Sequence, residues 1–288
     1  MITSSSQYTD LNDFLTKHNS KNANSTTNQK TITHTRIGNQ ELNVYGGAFS
    51  IDKDELPVFR RLYYEHVFVK GRKEYLTEKQ LDGNGPILID FDFRYDYSVT
   101  KRQHTKEHIQ DIVELYLETL KEFFVFEKNK AFPIFIMEKP NVNRVAEKQI
   151  TKDGIHIIIC IQMDHILQTM LREKILEQIE DVWDIPLINN WTEVLDEGIS
   201  KGCTNWQMYG SQKPGYEAYK LTYCLNAELD LEDNTWMTTP KVVKDIDLLT
   251  SSQLLSAQYD GHLKLELNPK IKEEYEKRLQ TKNTKTKK

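Results

Sequence analysis

Apolar and polar positions alternate most clearly along Pro86-Ile-Leu-Ile-Asp-Phe-Asp-Phe-Arg-Tyr95. Side chains on a strand point alternately to opposite faces. Ile87, Ile89, Phe91 and Phe93 therefore share one face, and Asp90 and Asp92 share the other. The period changes over residues 105–127, where Ile109, Ile112, Val113, Tyr116, Leu117 and Leu120 recur at three and four and predict a helix. Phe132–Met137 and Gly154–Ile161 read as strands. Residues 164–183 read as a second helix, with Leu167, Leu171, Ile175, Ile179 and Val182 on one face. Two more strands are expected near 204–210 and 219–225. The resulting order, strand–helix–strand–strand–helix–strand, is the ferredoxin-like, or RRM-like, order and predicts an α+β fold.

The flanks divide the chain further. Residues 1–36 read as a flexible polar segment. A short helix is marked by Leu11, Phe14 and Leu15, and 19–36 is a linker rich in Asn, Thr, Ser and Lys. Residues 37–84 form a small α/β module. It has a strand and turn at Asn43–Ser50, a helix through Phe68 with Pro57 in its first turn, and a basic turn at Lys70-Gly-Arg72-Lys73. Asp82-Gly-Asn-Gly-Pro86 is a loop that separates it from the second unit, 85–240. Residues 241–288 read as a C-terminal helical segment with a basic tail that resembles a linker to a further domain.

Composition narrows the classes. The 288 residues carry 38 basic and 43 acidic side chains, a formal charge of −5. That is not the basic balance of a passive nucleic-acid coat, so nucleic-acid binding must come from local patches. Three cysteines with no C-x-x-C pair argue against a structural zinc site or a disulfide framework and fit a reducing compartment. No apolar run approaches the ~18 residues of a membrane span. There is no Walker-type phosphate loop.

Four constellations carry chemistry. Asp90 and Asp92 lie roughly 7 Å apart at ~3.3 Å per residue. A divalent cation relieves the repulsion of such a pair, and the alternative is an Asp pair at a frayed strand end or in a plain Ca²⁺ site. In Lys152-Asp-Gly-Ile-His156, His156 reads equally as a core histidine or as a donor to a phosphate. Gly154 would admit a phosphate to the backbone and Lys152 would add charge. Asp196, before Gly198, is a loop acid or the third carboxylate of a metal site. Asn205-Trp-Gln-Met-Tyr-Gly-Ser-Gln-Lys213, followed by Tyr219-Lys-Leu-Thr222, reads as a hairpin. It either holds a triphosphate, with a base stacked on Trp206 or Tyr209, or is an ordinary aromatic hairpin. Placed on neighbouring strands of one sheet, the four are the parts of a two-metal phosphoryl-transfer site.

Together these residues resemble the archaeo-eukaryotic primase superfamily, including PrimPol enzymes, and most closely the primase domains of viral primase–helicases. Asp90-x-Asp92 matches the family's acidic strand. Gly154-x-His156 matches its S-x-H motif with Gly for Ser, and Asp196 resembles its later single Asp. Asn205 and Lys213, nine and seventeen residues beyond Asp196, match the spacing of nucleotide contacts, with Gln207 where an Arg is common. The resemblance covers about 37–225. It implies an archaeo-eukaryotic primase fold, with an RRM-like catalytic module and a small N-terminal module that helps hold template and nucleotide. It implies catalytic, metal-binding roles for Asp90, Asp92 and Asp196, with Mg²⁺ or Mn²⁺. Nucleotide binding falls to Lys152, Gly154, His156, Asn205 and Lys213, with a backbone amide replacing the missing Ser hydroxyl. Lys70, Arg72, Lys73 and Lys220 are template or phosphate contacts. Implied partners are single-stranded DNA, nucleoside triphosphates and a helicase domain in a longer chain. The implied setting is a viral replication site in the host cytoplasm. The rival readings are a metal-dependent nuclease and a non-catalytic RRM-like binding module.

Overall fold

Runs of Ile, Phe and Leu with the right period become strands and helices where the sequence places them. The computed structural model describes residues 8–22 and 31–286. In chain order they form α1 (Leu11–Lys17), β1 (His34–Arg36), β2 (Gly47–Phe49), α2 (Leu56–Tyr64) and β3 (Leu76–Glu78). Next come β4 (Pro86–Asp96), α3 (Lys106–Phe123), β5 (Phe124–Val125), β6 (Phe132–Glu138), β7 (Asn143–Val145) and β8 (Ile150–Gln162). After them lie α4 (His165–Leu176), α5 (Ile179–Val182), α6 (Trp191–Val194), α7 (Glu197–Ser200) and β9 (Trp206–Gln207). The chain closes with β10 (Lys220–Asp230), β11 (Thr235–Lys241), α8 (Leu248–Ser251), β12 (Glu266–Leu267) and α9 (Pro269–Thr286). Helices mix with antiparallel sheets, so the fold is α+β. Among the described residues no helix is long and apolar enough to cross a membrane.

The main sheet runs β11-β10-β6-β8-β4, with β7 on the end of β8. Its strands β4, β6, β8 and β10 alternate with α3 and α4 in the expected order. β4 and β6 are parallel and separated by the antiparallel β8; β8 and β10 are separated in the same way by β6. One face of this sheet carries Ile87, Ile89, Phe91, Phe93, Ile155, Ile157 and Ile159 into a core closed by α3 and α4. The opposite face carries Leu88, Met137 and Ile158 into a second core with Trp206, Tyr219 and Leu255. A third core holds the four-stranded sheet β2-β1-β3-β9 against α1 and α2.

Several expectations change. The linker read over 19–36 is structured where it is described: His34–Arg36 is a central strand, paired with β2 and β3. Residues 23–30 lie outside the described residues. The second helix ends at Leu176 rather than 183. Beyond it the chain turns so that Trp183 enters the core and its indole donates to the His108 carbonyl at 2.7 Å. The strand read at 204–210 shrinks to two residues and leaves the main sheet altogether: Trp206 and Gln207 pair with Glu78 and Thr77 of β3. Its supposed hairpin partner, β10, pairs instead with β6 and β11. The C-terminal segment folds back onto the body. The Glu78 carboxylate accepts from Ser256 Oγ at 2.7 Å and Ala257 N at 2.6 Å, and β12 pairs with β5. The basic tail read from Lys282 continues α9 to Thr286, and its last two residues lie outside the described ones.

The same C-terminal segment places His262 beside the end of β8, where the His262 carbonyl accepts from Gln162 Nε2 at 3.2 Å. The ring is buried and faces Tyr259 edge-on at 4.9 Å, and neither nitrogen makes a hydrogen bond among the described residues. Burial lowers its pKa to about 4, against a weak opposing pull from Asp260. The unfolded chain takes up this proton near pH 6.5 while the folded one does not, so the stability held above that pH is lost as pH falls toward 4. The full difference is about 3 kcal/mol. His262→Gln is expected to flatten the fall in urea-unfolding free energy between pH 7 and 4.5. Equal slopes in the two proteins would refute the buried neutral imidazole.

Candidate active site

The register of β4 on β8 sets Asp90 opposite His156 and Asp92 opposite Gly154. With Ile89, Phe91 and Phe93 held in the helix-side core, both carboxylates must face the other way. β4 is the last strand of its sheet, and the segment 188–196 covers its free edge. Ile188 N donates to Arg94 O (2.9 Å), Asn189 Nδ2 to Asp92 O (3.0 Å) and Asp196 N to Asp90 O (3.0 Å). Protecting an open strand edge thus delivers a third carboxylate. Asp196 Oδ1 also caps α7, accepting from Ile199 N at 3.0 Å. A Cβ at Gly198 would crowd Thr204 Oγ1 and Asp196 Oδ1, so a larger residue there would have to displace both side chains. The three carboxylates each offer an oxygen within 4.8 Å of the others.

Electrostatics separate the acids. Burial alone would raise the Asp90 carboxyl, but the His156 ring and the charges of Lys213 and Lys139 outweigh it and hold Asp90 below the usual carboxylate range. Asp92 goes the other way: burial and then the Asp90 charge push it up. Asp90 Oδ1 is buried without a hydrogen bond among the described residues; His156 Nε2 lies 3.4 Å away. An orphaned carboxylate oxygen amid three convergent acids fits a hard divalent cation such as Mg²⁺ or Mn²⁺.

His156 is clamped between Trp206, at 4.3 Å between ring centroids, and Tyr219, at 3.6 Å and 21°. Trp206 is only 1% exposed, so it supports the histidine and offers no platform to a base. Tyr209 stacks on Phe68, and its hydroxyl accepts from Leu221 N. Asn205 hangs from the N-terminal sheet, its Nδ2 donating to Thr35 and Thr77 Oγ1 at 3.3 Å. Lys213 is exposed and Lys152 half-buried; the charge of each is felt at Asp92 or Asp90. Gly154 does not present a free amide, because its N–H donates to Asp153 Oδ1 at 2.9 Å. Nor is the space above it open: a Cβ there would lie 2.7 Å from Tyr219 Oη. Lys70, Arg72 and Lys73 stay exposed on the turn before β3 and outside the carboxylate cluster. That turn abuts the Lys213 loop, where Gln212 N donates to Glu74 O at 2.9 Å. Lys220 is also exposed. It alternates with Tyr219 and Leu221, which pack on the carboxylate side, so it points to the opposite face.

The family model of the C962R protein N-terminal AEP domain matches residues 38–225. The chain belongs to this archaeo-eukaryotic primase (AEP) family. A curated relative is the Acanthamoeba polyphaga mimivirus protein named "Putative helicase L207/L206", 34% identical over 196 residues. The match takes in 65% of this chain and 20% of that protein, so the chain spans about a fifth of its relative's length.

Within this AEP domain the structure adds two side chains that sequence reasoning passed over or misread. Lys139, just beyond β6, sets its ammonium 5.0 Å above the Tyr219 ring. Alternation from Met137 was the available signal, since residues 137 and 139 share the Asp90 face. Tyr219 was read only as part of a hairpin. The repulsion at the acids has a measurable consequence. In the absence of divalent cations, Asp92→Asn is expected to raise the melting temperature by about 1–2 °C, small because Asp92, although crowded by protein atoms that raise its carboxyl, keeps an exposed surface where solvent screens its charge. The same change should diminish the shift that Mn²⁺ gives the parent protein. A lower metal-free melting temperature would refute the proposed strain.

Proposed function

We propose that this chain is the nucleotidyltransferase module of a DNA primase, joining nucleotides on a single-stranded DNA template. The carrying observation is the convergence of Asp90, Asp92 and Asp196 beside His156 and three lysines, at the seam between the two sheets. We further assign β4 to β10 as the RRM-like catalytic module. The N-terminal sheet β2-β1-β3-β9 with α1 and α2 would be the small module that helps hold template and nucleotide. The mimivirus relative, by its name, supports a helicase in the parent chain; a viral replication site in the host cytoplasm is the setting we infer.

Divalent cations bound by the three carboxylates would lower the pKa of the attacking hydroxyl and offset charge on the leaving group. The chain's own part is positioning. His156, fixed between Trp206 and Tyr219, can present a ring nitrogen to a phosphate oxygen only along one direction. Lys152 and Lys213 both bring positive charge to Asp92, and the Asn205 carbonyl oxygen remains to accept from the nucleotide. Such preorganised charge is most of what phosphoryl transfer asks of a protein. The reading as a passive RRM-like binder has less support, since the sheet face shows acids and a buried tryptophan rather than exposed aromatics.

The test is synthesis of labelled oligomers from nucleoside triphosphates on single-stranded DNA with Mn²⁺ or Mg²⁺. Asp90→Ala/Asp92→Ala is expected to reduce product by at least ~100-fold, about 3 kcal/mol of transition-state stabilisation. Full activity in that double variant refutes the catalytic assignment. Loss of template without nucleotides would instead identify a nuclease.

A further inference from the structure

We propose that Lys139 and Tyr219 form a polyphosphate-binding pair at the edge of the carboxylate site, with the Tyr219 phenol supplying a hydroxyl donor over Gly154. This rests on the primase reading for the identity of the ligand.

Sheet register sets the pair in place. Glu138, the last residue of β6, pairs with Ile155 on one side and Lys220 on the other, and Gly154 pairs with Asp92. One row therefore crosses the sheet from Asp92 through Gly154 to Lys139 and Tyr219. Met137, Tyr219 and Leu221 pack on the carboxylate face, and Lys139 follows Met137 by two.

The Lys139 ammonium is half-buried, 5.0 Å over Tyr219 and 5.5 Å over Tyr216. Among the described residues it makes neither a hydrogen bond nor an ion pair. Contacts with aromatic faces favour a cation there but leave its three N–H donors unused. Its backbone is fixed from the other side of the sheet. Arg102 donates to the Lys139 carbonyl at 2.5 Å while bonding Asp153 at 2.8 and 3.0 Å and Glu138 at 3.0 Å. A fixed backbone carrying an unpaired charge beside the acids is preorganised for an anion.

Tyr219 is 7% exposed, stacks on His156, and its hydroxyl makes no hydrogen bond among the described residues. The hydroxyl lies where a side chain at 154 would otherwise stand, 2.7 Å from the Cβ position. Gly154 thus admits the phenol. On this stretch of β8 no other hydroxyl is free, since Thr151 Oγ1 donates to Val99 O at 2.7 Å.

The experiment measures binding of inorganic tripolyphosphate in Mn²⁺ by thermal shift and titration, alongside steady-state synthesis. Lys139→Ala is expected to weaken tripolyphosphate binding about 10-fold and to raise the nucleotide KM similarly with kcat within about 3-fold, and Lys139→Arg to restore most of it. Tyr219→Phe keeps the ring stack and is expected to weaken binding about 3- to 10-fold. Lys139→Arg, which keeps the charge, and Tyr219→Phe should keep the ligand-free melting temperature and the shift from Mn²⁺ alone. Wild-type binding and KM in Lys139→Ala and in Tyr219→Phe overturn the pair and leave the primase reading standing. A protein that binds tripolyphosphate through Lys139 and Tyr219 yet makes no oligomers refutes the primase reading and keeps the pair. A parent protein that binds no tripolyphosphate overturns the pair.

Discussion

The antiparallel register of β4 on β8 is the constraint on which the site depends. Its helix-side face is an uninterrupted Ile and Phe surface, so the strand can sit in only one way. A slip of one residue would drive Asp90 and Asp92 into that core and expose Phe91 and Phe93. Hydrophobic burial on one face therefore enforces carboxylate placement on the other. It also supplies the stability that tolerates three acids within 4.8 Å.

The second constraint is the route between β8 and β10. A direct return is not taken. The chain covers the open edge of β4, contributes Asp196, crosses to the N-terminal sheet as β9, and only then enters β10 beside β6. Residues 199–212 are stitched to that sheet throughout. Gln80 Nε2 donates to Ile199 O and Thr204 O, Met208 N to Leu76 O, and Gln212 N to Glu74 O. Asn205 and the Lys213 loop are consequently held by the N-terminal sheet, whereas the acids and His156 belong to the main one. The site is a seam, and its geometry follows how the two sheets pack.

What was legible in the sequence was whatever a local period carries. Alternation placed Asp90, Asp92 and His156 on one face, and the helical period located α3 and most of α4. What was not legible was the choice of partner strand. Trp206-Gln207 has the composition of a hairpin strand, but nothing local says that its partner is β3, some 130 residues earlier. The same blindness misjudged Trp206, whose burial against His156 depends on that pairing. His34-Thr-Arg36 was lost to a polar neighbourhood, although pairing on both sides satisfies its backbone. Lys139 escaped notice because a lone lysine after a strand is common; only the fold sets it beside Tyr219.

Gly154 shows how such non-local facts alter chemistry. Taken alone, a glycine two residues before a histidine suggests close approach of a ligand to the backbone. In the folded chain that approach is already taken by the Tyr219 phenol, and the amide is already bonded to Asp153. The polar group facing the carboxylates at this point therefore comes from β10's end of the sheet. The charge count is consistent with this arrangement: Asp90, Asp92 and Asp196 stand against Lys139, Lys152 and Lys213, close to neutrality. A balanced site neither attracts nor repels a polyphosphate strongly. Adding divalent cations at the acids frees the lysines' field for the anion, so metal and polyphosphate binding should reinforce each other through charge alone.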